Sequence, residues 1–433
     1  MEKTSTMKQA GTSVLVALAL ICVVSCAKID DESSAVAPEQ PARPTVLLPT
    51  RSYEEALSLA RKSIALVDRG QTRSATARSI RSERGQCVTT PSTRSGAGSD
   101  TLMYVFNFEN NDGFSVIAAN RAVDPVLAVA EKGNYTYGEP TGVENFDFYM
   151  DAMAQSLAVI KPPKFDTIRT TPKFKTVEVN ESRSCDPLIP VRWGQESPYG
   201  DYCSNGYSGC VATAIAQIMA YYRFPASITT TYTDAPHAGE TIALNWTSMI
   251  SYPYVYQVPA LMREIGQRVE MTYHPIDEND METGSSAFSY MAPDCLISFG
   301  YSCASGLASY EIASIRTNLD ETHPVYVRAN DISEGGHAWI ADGYIYSRIG
   351  TEYYEEILID NGLTLYYDYI LTNSTVQTTN LVHYNWGWNG SCDGYFAPGD
   401  GVASGNGYIF NGLQMITSIR LPRIDSNLNQ DFL

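Results

Sequence analysis

After Lys175 the chain contains no lysine. Residues 186–433 hold nine arginines against 27 acidic residues, while residues 1–185 balance 21 basic with 21 acidic side chains. The formal charge of −18 therefore lies wholly in the C-terminal part (9 − 27 = −18). A surface of that sign repels a phosphate backbone, which argues against nucleic acid as a partner, and its plainest use is solubility. No Cys-x-x-Cys is present, so the spacing of a structural zinc site is missing. The nine cysteines (22, 26, 87, 185, 203, 210, 295, 303 and 392) do not follow the spacing of a small disulfide-stapled scaffold. Cys203 and Cys392 could still pair in an oxidising compartment. Past the N-terminus no run approaches the roughly 20 apolar residues of a membrane span. What remains, 433 residues at 44% apolar and 18% charged, is a globular chain of two or three units.

The order of those units is legible. In residues 1–26, Lys3 and Lys8 precede an apolar stretch from Gly11 to Val24, and Val23-Val24-Ser25-Cys26 resembles a lipobox in which Cys26 would receive lipid. Simple signal-peptidase cleavage nearby is the rival. Residues 27–49 are polar and proline-bearing, a flexible tether to an exported or surface-anchored protein. Residues 52–66 carry apolar side chains at helical spacing. Residues 69–99 are Arg/Ser/Thr/Gly-rich and read as a loose loop. Two apolar runs, 102–108 and 114–118, flank Asn110-Asn111-Asp112-Gly113 as a hairpin, and 143–160 is a second amphipathic helix. Residues 50–165 thus read as a small α+β unit with a core of its own, and 166–189 as an exposed linker open to proteolysis. From 190 to 433 helices predicted at 211–223, 257–271 and 308–319 (Ser309 as N-cap) precede strands at 324–329, 337–345, 353–359, 380–386, 393–396 and 408–420. A helical layer before an antiparallel sheet is an α+β fold.

Cys210 opens the first of these helices, after Ser208-Gly209 and before Val211-Ala212-Thr213-Ala214. A thiol there faces unpaired backbone N–H groups and the positive end of the helix dipole, which favour thiolate. Far downstream, Gly335-Gly336-His337-Ala338-Trp339 places a histidine on a separate strand, able to hold the thiolate as an ion pair and later to donate the proton. Alone, Cys210 would read as a buried structural cysteine and His337 as a core histidine. Together they have the pattern of a nucleophile and its base, distant in sequence and adjacent in the fold. His237, His274 and His323 lack such a setting, and His383 is the one competitor. Gln195, fifteen residues before Cys210, could add a side-chain amide to the Cys210 N–H as a pair of oxyanion donors; an ordinary loop glutamine is the plain alternative. Asp342 follows His337 by five residues, on the opposite face of the strand.

The run Gly209-Cys210-Val211-Ala212-Thr213-Ala214 with Gln217-Ile218-Met219 resembles the nucleophile segment of the streptopain family of papain-like cysteine peptidases. Gly335-Gly336-His337-Ala338-Trp339 with Asp342-Gly343-Tyr344 is similar to its histidine segment. Asn385-Trp386-Gly387-Trp388 with Asp393-Gly394-Tyr395-Phe396 is similar to its Trp-Gly-Trp segment. Trp193-Gly194-Gln195 resembles the opening of the family's mature enzyme, and Asp112–Ala118 its propeptide. The resemblance implies a papain-like fold preceded by a small α+β propeptide. It implies a secreted or surface-anchored cysteine endopeptidase made as a zymogen, needing neither metal nor organic cofactor. Its partners would be protein or peptide substrates with an apolar side chain at the second position before the cut, and its own inhibitory propeptide. Asn385 and Trp386 fall where papain-like sites orient or shield the histidine. Here Asn385 directly adjoins Trp386, whereas papain-like enzymes place the asparagine two residues before the tryptophan. A Cys–His dyad is therefore expected, with Trp386 against the imidazole and the part of Asn385 open. Gly399-Asp400-Gly401 and Gly405-Asn406-Gly407 flank a short loop, where the resemblance implies substrate binding; a plain surface loop is the alternative. The alternatives are a non-catalytic surface lipoprotein of the same fold and another Cys–His acyl-transferring enzyme.

Overall fold

A computed structural model describes residues 50–68, 80, 85–89, 101–160, 174–274, 284–304, 306–331, 335–360, 365–398 and 413–421. The expected signal, Cys26, the tether and the 399–407 loop lie outside them. The chain from Leu48 onward forms one compact unit.

The first helix, α1 (Tyr53–Asp68), starts in a capping box. The Glu55 N–H donates to Ser52 Oγ at 3.3 Å, and the Ser52 N–H returns to Glu55 Oε2 at 2.8 Å. The stripe Ala56, Leu57, Ala60 and Ile64 is buried. It packs on a meander of β1 (Gln86–Thr89), β2 (Thr101–Asn107), β3 (Phe114–Ala118) and β4 (Val126–Ala130). The predicted hairpin is β2–β3. Of the other two strands, β1 occupies part of the stretch read as a loose loop. Gly113 at φ +105 makes the turn, and a Cβ there would lie 2.0 Å from the Ala130 carbonyl oxygen. Helix α2 (Glu144–Val159) follows, burying Phe146, Tyr149, Met150, Met153 and Leu157.

Residues 174–185, read as linker, form a twelve-residue strand, β5 (Phe174–Cys185). Most of its side chains are exposed, as a linker's would be, which is why hydrophobic periodicity did not show it. Its backbone is nevertheless committed to a sheet.

The C-terminal half begins with a helical layer. Its elements are α3 (Cys210–Tyr222), β6 (Ser227–Thr229), β7 (Thr241–Ala243), α4 (Trp246–Ser251), α5 (Gln257–Arg268), β8 (Thr272–Tyr273), β9 (Ser285–Ser286) and α6 (Ala292–Ser298). Then come β10 (Ala308–Ser309) and α7 (Ile312–Asp320). Helix α7 is shorter than predicted. Glu311 stands at its N-cap, while Ser309 pairs with Gln414 in a strand. The remaining strands are β11 (Val325–Asp331), β12 (Gly335–Asp360), β13 (Leu365–Ser374), β14 (Gln377–Asn385), β15 (Gly394–Phe396) and β16 (Gln414–Ile416).

One mixed-length sheet runs through both halves in the order β1-β2-β3-β4-β15-β14-β12-β11-β16-β10, its pairs antiparallel. The 26-residue β12 is its spine. β11 and then β5 line one edge of that strand, β14 and then β13 the other. The halves join where Ala128, Val129 and Ala130 of β4 face Phe396, Tyr395 and Gly394 of β15. Gly394 permits this approach, since a Cβ would stand 2.3 Å from the Val129 carbonyl oxygen. Residues 50–165 also pack against the C-terminal half. The α2 side chains share a core with Trp339, Tyr384 and Trp386, and the α1 cluster reaches Leu381 and Tyr395. The core around α3 and α5 is drawn from residues 189–419 alone.

Candidate active site

Gly209 precedes α3 at φ +82, and a Cβ there would meet Met271 Cε at 2.8 Å, so the turn that delivers Cys210 requires glycine. The Thr213 N–H and hydroxyl both donate to the Gly209 carbonyl at 3.0 Å, fixing the helix entry. Ser208 donates from its backbone N–H to the Gln195 carbonyl at 2.9 Å. That bond anchors the Gln195 loop beside the start of α3. Gln195 itself is buried.

His337 lies on β12 opposite Ala329 of β11 and is buried. The next residue, Ala338, gives a backbone hydrogen bond to the Cys210 sulfur. The predicted nucleophile segment and histidine segment thus meet, although they are more than a hundred residues apart. The electrostatics differ from the expectation of a low-pKa thiolate. Burial pushes the Cys210 thiol up to about 11; the Ala338 hydrogen bond opposes this, and the Glu144 carboxylate adds to it. Desolvation outweighs the helix terminus, and Cys210 is a thiol in this state.

The first turn of α2 lies against His337. Glu144 Oε2 stands 3.9 Å from His337 Nδ1. Phe148 sits over the imidazole with ring centroids 5.7 Å apart. Asn145 Nδ2 donates to the carbonyls of Ala338 and Trp386 at 2.7 and 3.2 Å. Sequence reasoning assigned none of these three residues to the site. The available signal was Asn145, a polar residue one helical turn before Tyr149 on an otherwise apolar stripe.

Trp386 is buried at the centre of an aromatic cluster, with ring contacts to Phe146, Tyr149, Trp339, Tyr384 and Phe396 at 5.2–6.1 Å. Its indole N–H donates to the Cys392 carbonyl and its backbone N–H to Asp393 Oδ1. Asn385 is committed elsewhere. Its Nδ2 donates to the Val191 carbonyl and to Gln217 Oε1, both at 3.1 Å, and its Oδ1 accepts from Gln217 Nε2 and the Gly387 N–H. With those sites filled, its amide is oriented by α3 and the Trp-Gly-Trp loop, not toward the imidazole. Gln217, two turns along α3 from Cys210, also accepts the Trp193 N–H at 3.0 Å, so one glutamine links the nucleophile helix to the Trp193 and Trp-Gly-Trp segments.

The competitor His383 is a buried ionic residue. Its Nδ1 meets Asp342 Oδ1 at 2.6 Å and its Nε2 lies 3.7 Å from Glu131 Oε1. Asp342 serves His383 and the Ile189 N–H, on the face away from His337 as strand alternation required. Cys203 and Cys392 are separate free thiols, and no cluster of potential metal ligands occurs among the described residues.

Residues 193–396 match the Peptidase C10 family, a span that takes in Gln195, Cys210, His337, Asn385 and Trp386, and residues 48–157 match the Spi protease inhibitor family. Streptopain of Streptococcus pyogenes is 24% identical over 367 residues, covering 72% of this chain and 80% of streptopain. The thiol protease/hemagglutinin PrtT of Porphyromonas gingivalis is 25% identical over 354 residues, covering 71% of this chain and 36% of PrtT. A solved fragment of Prevotella intermedia prointerpain A, with a cysteine-to-alanine substitution, aligns at 20% identity and a TM-score of 0.47, covering 77% of this chain and 98% of the fragment.

Proposed function

Because residues 193–396 match the Peptidase C10 family, we propose that the chain is an exported cysteine endopeptidase zymogen working through a Cys210–His337 dyad. The observation that carries the reading is the junction of α3 with β12, where the Cys210 sulfur meets the residue after His337, underneath α2. In the open enzyme, His337 takes the thiol proton and Cys210 attacks the scissile carbonyl. The Cys210 N–H and the Gln195 side-chain amide stabilise the oxyanion. His337 then protonates the leaving amine, and as base it activates the water that hydrolyses the acyl-enzyme. Trp386 shields the dyad from solvent, and Asn385 acts on it only by fixing the loop.

Residues 48–157 serve as the inhibitory propeptide. Helix α2 fills the site with Phe148 and Glu144, and a cut in the following segment lets it leave. Substrates are proteins in extended form, with an apolar side chain at the second position before the cut. Cys26 lipidation would hold the enzyme at the cell surface; without it the enzyme is secreted.

The test is expression of the wild-type and Cys210→Ala chains. The wild type should process itself, cleave peptides and take up an epoxide thiol inhibitor at Cys210. Cys210→Ala should stay full length and inert. A processed form appearing in purified Cys210→Ala would rule out self-cleavage. Inhibitor uptake without peptide cleavage would favour a non-catalytic lipoprotein, and amide transfer to an added amine would favour another acyl-transferring enzyme.

A further inference from the structure

A buried ionic cluster lies at the seam of β4 and β15, built from none of the residues proposed to do chemistry. Glu131 directly follows β4, and its backbone N–H donates to the Asp393 carbonyl at 2.8 Å. One of its carboxylate oxygens accepts from Arg192 Nη2, and the other lies 3.7 Å from His383 Nε2. His383 is held from its other nitrogen by Asp342 at 2.6 Å. Asp393, buried beside them, accepts the Trp386 N–H. The Arg192 stem reaches the seam across Gly390 (φ +77), where a Cβ would lie 2.7 Å from Arg192 Cδ.

The charges in this cluster are unequal without Glu131. Arg192 and His383 are the cations, and Asp342 is committed to His383. Burial pushes the Asp393 carboxyl up to about 7, so it is a weak counter-ion. Burial also works against ionising Glu131, but His383 and Arg192 overcome it and hold that carboxyl down to about 2. Glu131 is the second fixed anion, and it comes from the inhibitor-like half of the chain. The backbone ladder between β4 and β15 is indifferent to side chains. The Arg192 and His383 cations are not, because a neutral residue at 131 leaves the partly exposed Arg192 without its carboxylate and His383 with Asp342 alone.

We propose that Arg192 and His383 form a carboxylate socket that reads the Glu131 side chain of the propeptide, strand pairing giving attachment and the socket giving selectivity for the enzyme's own propeptide. The proposal rests on the reading of residues 48–157 as a bound propeptide.

The experiment uses full-length Cys210→Ala with a site for a sequence-specific protease inserted between residues 161 and 173. After nicking, the dissociation rate of the N-terminal piece is followed by size-exclusion chromatography. Glu131→Gln should speed dissociation by roughly 30-fold or more, as for one partner lost from a buried charge pair. Glu139→Gln, an exposed acid on the same piece, should leave it unchanged. Adding Arg192→Gln to Glu131→Gln should cost much less than the two single effects combined. Circular dichroism before nicking checks the fold, and if Glu131→Gln does not fold, Arg192→Lys is read in its place and should also speed dissociation. Equal rates for the parent and the folded socket variant would overturn the socket, as would an equal effect of Glu139→Gln. Retention is measured without turnover. A piece that stays bound while the wild-type enzyme remains active would therefore sink the inhibitory reading and leave the socket standing.

Discussion

Asn145 Nδ2 bridges the carbonyls of Ala338 and Trp386, at 2.7 and 3.2 Å. One amide thus ties α2 both to the strand that carries His337 and to the Trp-Gly-Trp loop. Removing it leaves two buried carbonyls short of a donor, at a cost of about 1–3 kcal/mol. Asn145→Ala should therefore loosen α2 and speed self-processing about tenfold, read from a gel time course of the purified zymogen. Processing at the wild-type rate would show that the bridge plays no part in latency.

The Cys210 thiol is pushed up to about 11 mainly by burial, so it is protonated at neutral pH while α2 is in place. In a His337→Ala zymogen, which should not process itself, alkylation of Cys210 by iodoacetamide is expected to be slow at pH 7 and to rise steadily toward pH 11. After α2 leaves, the processed wild-type enzyme should react much faster at pH 7. Peptide mapping separates Cys210 from the exposed Cys87. Equal rates in the two forms at pH 7 would contradict the burial argument.

The two histidines should fail in different ways. His337→Ala is expected to remove as much activity as loss of the thiol, since members of a catalytic unit are not additive. His383→Gln should instead lower the unfolding midpoint of the zymogen. Burial lowers the His383 pKa, but Asp342 and Glu131 raise it further, to about 10. A raised histidine pKa adds stability in full below about 6.5, lost as pH climbs through about 10. The midpoint gap between wild type and His383→Gln should accordingly be widest near pH 6 and close toward pH 10. A gap that widened with pH would reverse the assignment.

The activation cut should fall before Phe174. Every residue of β5 is in register with β12. Beyond it, the Leu188 and Ile189 N–H groups are bound to Asp342, and Ile189 and Val191 are buried. A peptidase needs its substrate backbone free and extended, so 174–191 is protected. N-terminal sequencing of the processed enzyme should show a start upstream of 174. A start within β5 would mean that the strand peels away first.

The meeting of the Cys210 and His337 segments was legible because its signals are local: a glycine before a helix, a thiol at the helix start and a histidine in an alternating strand. The α2 stripe was legible for the same reason, although its partners were not, since Phe146 and Tyr149 pack on residues some 240 positions away. β5 escaped notice because an edge strand with both faces largely wet has no hydrophobic period. Asn385 was assigned by position in a motif, and only its Gln217 partner reveals a bracing role. The upward push on the Cys210 thiol could not be read from α3 alone, because burial in the folded chain causes it and the Glu144 carboxylate of α2, far away in the sequence, adds to it.

Gly394 also governs what activation leaves behind. While β4 is bound, β15 is an interior strand with neighbours on both sides. On the proposed reading, departure of the propeptide would turn the N–H and C=O groups of β15 into an open edge beside a glycine shaped for close backbone approach. Maturation would thus convert an internal seam into a short adhesive margin, and at three residues it is brief enough to discourage chain-to-chain stacking.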